Sequence, residues 1–259
     1  MRRLLACLGA SLLLSITMLA PTGAIDHSNL DEDRPLRVED PYPIATGELA
    51  VEAGAGLRVP RRGDTQGLFP IELLYGALPN LQLSLGTTAF TDPQKVDEPI
   101  KSGDFRVSAL YNLNQETLRL PAFGIRITAH FPTGRNSAGV DVRVKGLITK
   151  SWRRLSVHFN AAHEFLSETQ PTERRGRHQF VLGASVPVGA PKYTRTTVLG
   201  DFFAGQSFRR GASEIVGAEF GVRHQFTPWT VLDAGVGTEF AGPSDRSNFF
   251  ATVGVSTGF

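Results

Sequence analysis

The chain has 259 residues, enough for one barrel or for one to two ordinary domains. Charged residues make up 20% of it and the net charge is only +2, so the composition does not favour nucleic-acid binding. Mean hydropathy is −0.10, and no apolar run past the N-terminus approaches the roughly 20 residues that a spanning helix needs, which excludes a helical membrane protein.

Residues 1–24 are predicted to be a secretory signal peptide. Arg2 and Arg3 form a basic start, residues 4–20 are apolar, and small residues after Pro21 predict cleavage after Ala24. The alternative, an uncleaved anchor helix, fits this length and these flanks less well. Cys7 is the only cysteine, so the exported chain is predicted to contain no disulfide.

Residues 25–46 are predicted to be a periplasmic N-terminal extension. The stretch from Ile25 to Tyr42 is acidic, is interrupted by prolines and shows no periodicity. We expect a disordered tail; the alternative is a segment that folds into the mouth of a barrel as a plug.

From residue 47 to 259 the sequence becomes a series of alternating segments of about 10 residues, the length of a tilted strand that crosses a bilayer. Twelve strands are predicted, at about 47–59, 68–77, 81–90, 104–113, 121–131, 139–149, 155–165, 177–188, 196–206, 214–226, 230–240 and 248–259. The ninth shows the least clear alternation. In the sixth the alternation slips near Gly146 and Leu147, which predicts a bulge.

The last predicted strand ends on an aromatic residue, with apolar side chains at every second position before it. This pattern is typical of the closing strand of an outer-membrane barrel, which pairs with the first strand. Phe259, Val255 and Val253 are therefore predicted to form the assembly signal that the barrel-assembly machinery recognises.

The fold class predicted is all-β, a transmembrane antiparallel up-and-down barrel of about twelve strands with both termini periplasmic. A soluble secreted β-sandwich also has alternating strands. Two features favour the barrel: the apolar faces persist over a full membrane span, and aromatic residues gather at strand ends as in interfacial girdles.

The inward faces of the predicted strands carry acidic and basic residues together. They could form an ion-pair network that fills a small barrel, or a polar channel whose charges orient a solute. A barrel of about twelve strands allows either, and we favour a narrow channel. The residues predicted to line its constriction are Glu48, Glu52, Arg106, Arg126, Arg143 and Arg223.

Enzyme motifs are weak in this sequence. Ser156, His158 and Asn160 lie on one predicted strand at alternate positions, so successive side chains are about 7 Å apart, too far for a nucleophile and its base. His130, His158 and a carboxylate could meet across strands at a metal, but ordinary polar lumen residues explain them better. No catalytic residue, metal or cofactor is predicted.

Several short stretches together resemble the outer-membrane transporter family called MetA pathway of phenol degradation. They are Glu39-Asp40, Gly47-Glu48-Leu49, Leu74-Tyr75-Gly76, Asn80-Leu81-Gln82-Leu83, Pro132-Thr133-Gly134 and the terminal Phe259. The chain departs from the family in having ED where DD is usual and in ending the fifth strand with His-Phe-Pro-Thr-Gly. The resemblance implies an outer-membrane transporter, and some family members are associated with the catabolism of aromatic compounds.

The predicted function is passive uptake of a small solute, aromatic or hydrophobic compounds being candidates, through the outer membrane of a Gram-negative bacterium. The expected partners are outer-membrane lipid, the assembly machinery and the solute, and not nucleic acid. One alternative is a closed structural or adhesion barrel that acts through extracellular loops. A less favoured one is an outer-membrane lipid hydrolase.

Overall fold

The computed structural model describes residues 25–92, 100–134, 137–190 and 194–259. Within these ranges every regular element is a β-strand, and no helix has the length and apolar character needed to cross a membrane. The predicted signal peptide, residues 1–24, lies outside the described residues and stays a prediction.

The strands form one antiparallel sheet that closes on itself. They are β1 (Leu49–Pro60), β2 (Gln66–Leu78), β3 (Leu81–Thr91), β4 (Lys101–Ser102), β5 (Phe105–Asn114), β6 (Ala122–Phe131), β7 (Asp141–Trp152), β8 (Leu155–Phe165), β9 (Gly176–Val188), β10 (Thr196–Gly205), β11 (Ile215–Thr227), β12 (Thr230–Ala241) and β13 (Ser247–Gly258). β4 pairs only with the end of β3, so the wall itself contains twelve strands. The predicted class and strand number are confirmed.

Closure depends on pairing between the two ends of the chain. β13 pairs with β1 from Ala50 opposite Gly258 to Val59 opposite Phe249, and β1 pairs in turn with β2. The backbone N–H of Phe259 donates to the carbonyl of Leu49 at 2.8 Å. The predicted pairing of the last strand with the first is therefore confirmed.

Large apolar side chains face outwards from this wall. Ile71, Phe180 and Val253, for example, are exposed, and the alternate positions between them and their neighbours are buried or polar. A sandwich would bury such a face against a second sheet. The single closed sheet with an apolar exterior therefore excludes the sandwich.

The bulge predicted near Gly146 and Leu147 is wrong. These residues belong to the sixth predicted strand, which is β7. β6 and β7 pair without interruption from Ala122 opposite Thr149 to His130 opposite Asp141, and Leu147 lies opposite Gly124. Leu147 is buried on the inward face instead. The alternation slips in the sequence because an apolar side chain occupies an inward position, not because the register changes.

Candidate functional site

Residues 25–46, hereafter the plug, lie inside the barrel. Leu30 is 2% exposed, and Val38 and Glu39 are 0% exposed. The expectation of a disordered tail is wrong, and the alternative of a segment folded into the barrel describes the structure. The site to be explained is thus a lumen filled by the chain's own N-terminal segment.

The plug has an apolar contact with one side of the lumen. Its residues Leu30, Leu36 and Val38 form a buried cluster with three wall residues on β9 and β10, which are Val181, Leu199 and Phe203. These wall residues point inwards, where a water-filled channel would place polar side chains. Leu199 and Phe203 explain why the ninth predicted strand, which is β10, alternates poorly: both of its faces carry apolar residues.

A buried cluster of two acids and two bases fixes the middle of the plug. Nε of Arg126 donates to Oε1 of Glu39 at 2.5 Å, and Nζ of Lys145 lies 2.8 Å from Oε2 of Glu39. Nζ of Lys145 also donates to Oε1 of Glu32 at 2.9 Å, and Arg126 lies 3.6 Å from Glu32. All four side chains are at most 6% exposed. Each of these buried charges therefore loses oppositely charged partners if the plug leaves.

A second set of ion pairs joins the plug to β11, β12 and β1. Nη2 of Arg34 lies 2.5 Å from Oδ2 of Asp233, and Nη1 of Arg223 lies 2.7 Å from Oδ2 of Asp31. Glu52 lies 3.8 Å from Arg34. Acids of the plug meet bases of the wall, and a base of the plug meets acids of the wall, so the charges are complementary in both directions.

Wall side chains also bind the backbone of the plug, which has no strand partner there. Nδ2 of Asn160 donates to the backbone carbonyl of Glu39 at 2.8 Å, and Oδ1 of Asn160 accepts the backbone N–H of Glu39 at 2.9 Å. The N–H of Val38 donates to Oδ2 of Asp201 at 3.0 Å. Because buried backbone groups need hydrogen-bond partners, Asn160 and Asp201 supply those partners to the backbone of Glu39 and Val38.

Burial and charge shift two carboxyl groups of the plug in opposite directions. For Glu32, burial favours the neutral acid, but Lys145, Arg126 and Arg143 outweigh it and hold the pKa below its ordinary value. Burial raises the pKa of Asp40 well above its ordinary value, against hydrogen bonds from the N–H groups of Tyr42 and Leu30. Glu32 is thus an anion matched to bases, whereas Asp40 is a buried acid without a matching base.

Four of the six residues predicted for a constriction form ion pairs with the plug. Arg126 and Arg223 bind it as described, Glu52 lies beside Arg34, and Arg143 lies 3.8 Å from Glu32. The other two differ: Arg106 pairs with Glu72 of the wall at 3.6 Å, and Glu48 precedes β1 and accepts the N–H of Ala45 at 3.0 Å. The structure therefore brings four of them around a chain segment and not around an open ring.

The plug divides the space inside the barrel. A cavity of about 360 Å³ lies at the end formed by the start of β9 and the end of β10, lined by Arg177, Phe203 and Phe250 among others. A cavity of about 430 Å³ lies at the opposite end, where Ser156 and Pro187 contribute to its lining. A smaller one of about 220 Å³ lies between the plug and the wall of β1 and β2. Each end of the barrel thus has a vestibule, and the plug lies between them.

The weak enzyme candidates have structural partners instead. His158 hydrogen-bonds to Thr149 at 2.8 Å and to Ser185 at 2.9 Å, while Ser156 lies 2.9 Å from the hydroxyl of Ser151. Asn160 holds the plug backbone. Among the described residues, no three His, Cys, Asp or Glu side chains gather as metal ligands, so His130 and His158 share no such group.

The residues predicted as the assembly signal lie at the end of the closing strand. Val253 and Val255 are exposed on the outer face of β13, and Phe259 follows its last residue. Their positions agree with a surface that another protein could reach before closure. Their role in assembly stays a prediction.

The plug is the part of the lumen that sequence reasoning placed wrongly. Two signals could have located it: its acidic residues complement the inward arginines, and inward positions of the wall lack side chains where it passes. At Gly183, for example, a Cβ would lie 2.7 Å from Cγ2 of Val38, so the plug needs a glycine there.

Comparison with known proteins agrees with this architecture. The sequence model of the family described as "Putative MetA-pathway of phenol degradation" matches residues 32–257. No curated protein matches the chain. The COG4313 outer membrane channel from Pseudomonas putida F1 is similar in structure, with a TM-score of 0.68 at 12% identity over 88% of this chain and 100% of that one.

Two further solved structures have the same kind of barrel. The NanC porin has a TM-score of 0.60 at 12% identity over 81% of this chain and 98% of that chain. The CymD monoaromatic hydrocarbon channel has a TM-score of 0.53 at 10% identity over 83% of this chain and 89% of that chain. At such identities the likeness establishes the fold and leaves the solute open.

Proposed function

The chain belongs to the family of the MetA pathway of phenol degradation, and we propose that it is a passive outer-membrane channel for a small solute. Small aromatic or hydrophobic compounds are the first candidates, since one structural neighbour is a monoaromatic hydrocarbon channel. Passive transport through a barrel needs no cofactor, and the Ser156, His158 and Asn160 side chains are committed to structural contacts. The proposed function is therefore transport and not catalysis.

The observation that carries this proposal is the pair of vestibules at opposite ends of a polar lumen. Their volumes of about 360 and 430 Å³ fall in the range of small-molecule sites. The plug between them is attached by side-chain contacts and is not a strand of the wall. We propose that it is the gate, and that a solute passes when the plug is displaced.

We propose that both termini face the periplasm. The connections between β2 and β3, between β7 and β8 and between β11 and β12 each contain two residues, and all lie at the same end as the chain's last residue. Outer-membrane barrels have short periplasmic turns and longer extracellular loops. The vestibule lined by Phe203 and Phe250 would then be extracellular, the other periplasmic.

We further propose outer-membrane localisation after cleavage of the signal peptide, with assembly directed by Phe259, Val255 and Val253. The partners are outer-membrane lipid, the barrel-assembly machinery and the solute. The apolar outer face of the wall supports contact with lipid.

Single-channel recording of the purified, folded protein in planar bilayers tests the proposal. We expect brief, low-conductance openings, because the plug occludes the lumen most of the time. Absence of any conductance, in the full mature chain and in a variant lacking residues 25–42, would contradict the channel.

The filled lumen also favours a second candidate, a closed structural or adhesion barrel that acts through its extracellular loops. Shortening the loop between β8 and β9 would then abolish function while plug variants behave normally. The lipid hydrolase is excluded if Ser156→Ala leaves every measurable activity unchanged.

A further inference from the structure

Two histidines meet on the outer face of the barrel, away from the lumen. His163 of β8 and His178 of β9 lie directly opposite each other in the strand register. Their Nδ1 atoms are 3.0 Å apart and their ring centroids 4.4 Å apart. We propose that this pair is a binding site for a divalent transition-metal ion, Cu²⁺ being the ion that its geometry fits best.

The distance between the two nitrogens sets the coordination geometry. Imidazole nitrogens lie about 2.0–2.1 Å from a bound transition metal. Two nitrogens 3.0 Å apart at that bond length subtend an angle of about 91–97° at the metal. This is the angle between neighbouring ligands in a square-planar or tetragonal site, which Cu²⁺ and Ni²⁺ prefer, whereas a tetrahedral Zn²⁺ site would place its ligands farther apart.

Neighbouring residues hold both rings in place. The ring of Phe165 packs edge-on against His163 at 4.4 Å, and the ring of Phe180 is parallel to that of His178 at 6.5 Å. The other side of His163 lies over Gly176, where a Cβ would be 2.8 Å from Nε2. That contact directs Nδ1 of His163 towards its partner, so the pair is organised before any ion binds.

The pair lies near one edge of the barrel wall, and His178 is exposed there. His163 lies two residues from the end of β8 and His178 two residues from the start of β9, so both are at the rim of the wall. Because no group of three ligands occurs among the described residues, water would complete the coordination shell. The ring that donates the shared hydrogen bond would move its proton from Nδ1 to Nε2, which leaves both Nδ1 lone pairs for the metal. The ion would then link β8 to β9 at the rim.

Titration of the full mature protein with Cu²⁺, in detergent free of competing chelators, tests the site. Every variant, the reference protein included, carries His27→Ala, because cleavage after Ala24 would otherwise leave Ile25-Asp26-His27 as an amino-terminal Cu²⁺ ligand set. Electron paramagnetic resonance should show two nitrogen donors at one equivalent of Cu²⁺. His163→Ala and His178→Ala should each weaken Cu²⁺ binding by at least about tenfold. Removing a residue that hydrogen-bonds to a metal ligand already lowers metal affinity by about that factor, and removing the ligand itself should lower it no less. His224→Ala is the matched control, because His224 is also an exposed histidine but its Nδ1 bonds to Thr196.

Two further measurements separate the site from a general effect on folding. Cu²⁺ should raise the melting temperature of the reference protein and of His224→Ala but not that of the double variant lacking both histidines. Gly176→Ala should weaken Cu²⁺ binding while the barrel still assembles. Equal binding by the reference protein and the double variant, or a spectrum with one nitrogen donor, would overturn the proposal.

Discussion

Replacing Glu39 by Gln should loosen the plug without unfolding the barrel. Glu39 is 0% exposed, and with Glu32 it balances the charges of Arg126 and Lys145. The variant leaves two buried cations facing one carboxylate. Breaking a buried pair costs about 3–5 kcal/mol. We expect the lower end, about 3 kcal/mol, because Glu32 still contacts both cations and the new amide oxygen can accept a hydrogen bond.

This cost corresponds to a roughly 100-fold larger open population of the plug. Hydrogen exchange followed by mass spectrometry should therefore show amides in residues 25–46 exchanging about 100-fold faster, with the strand amides unchanged. Glu173→Gln is the control for loss of a carboxylate charge, because Glu173 accepts the N–H of Gln170 in the connection between β8 and β9, away from the plug. Equal protection of the plug in the wild type and in Glu39→Gln would refute the idea that this charge cluster holds it.

Two other outcomes follow from the same structure. The pKa of Glu32 is lowered in the docked plug, so the contribution of Glu32 to docking is present above its ordinary pKa of 4.5 and is lost as the pH falls below that value. The difference in plug protection between the wild type and Glu32→Gln should therefore be large at pH 7 and shrink in acid. A difference that grows in acid would contradict this sign. Deleting Phe259 removes the N–H that binds the carbonyl of Leu49 and should lower the amount of protein in the outer membrane more than the conductance of each assembled barrel; normal amounts in membrane fractions would refute the assembly role.

The wall could be predicted from the sequence because its physics is local. In β1, Val51 and Ala53 face lipid while Glu52 faces the lumen, and that alternation is visible one residue at a time. Turn residues such as Asn80, which has a positive φ of 65°, mark where strands end. Strand positions therefore followed from the pattern to within a few residues.

The plug could not be predicted in the same way because its contacts are distant in sequence. Glu39 binds Arg126, and Arg34 binds Asp233, partners that only barrel closure brings together. An acidic, proline-broken stretch has the composition of a disordered tail. What folds it is the complementary interior of the wall, which periodicity does not reveal.

The candidate site was located only in part. The inward position of Arg126, Arg143 and Arg223 followed from alternation, but their partners did not. Arg223 seemed available to a solute, whereas the structure places it against Asp31 with a side-chain exposure of 0%. Inward charge was predictable, and its neutralisation by the plug was not.

The central claim, that the plug gates the lumen, can be tested by locking it in place. An ideal Cβ at Gly183 would lie 3.0 Å from Cβ of Val38, close to the 3.5–4.5 Å of a disulfide, so a Val38→Cys, Gly183→Cys pair should crosslink after a small shift. The chain's only cysteine is Cys7, within the predicted signal peptide, so no other thiol interferes in the mature protein. The Val38→Cys single variant serves as control.

Planar-bilayer recording of the double-cysteine protein before and after reduction gives the answer. The account predicts no conductance while the disulfide is intact and openings like those of the single variant once it is reduced. Equal conductance in the oxidised and reduced states would contradict the account, because a solute would then pass without any movement of the plug.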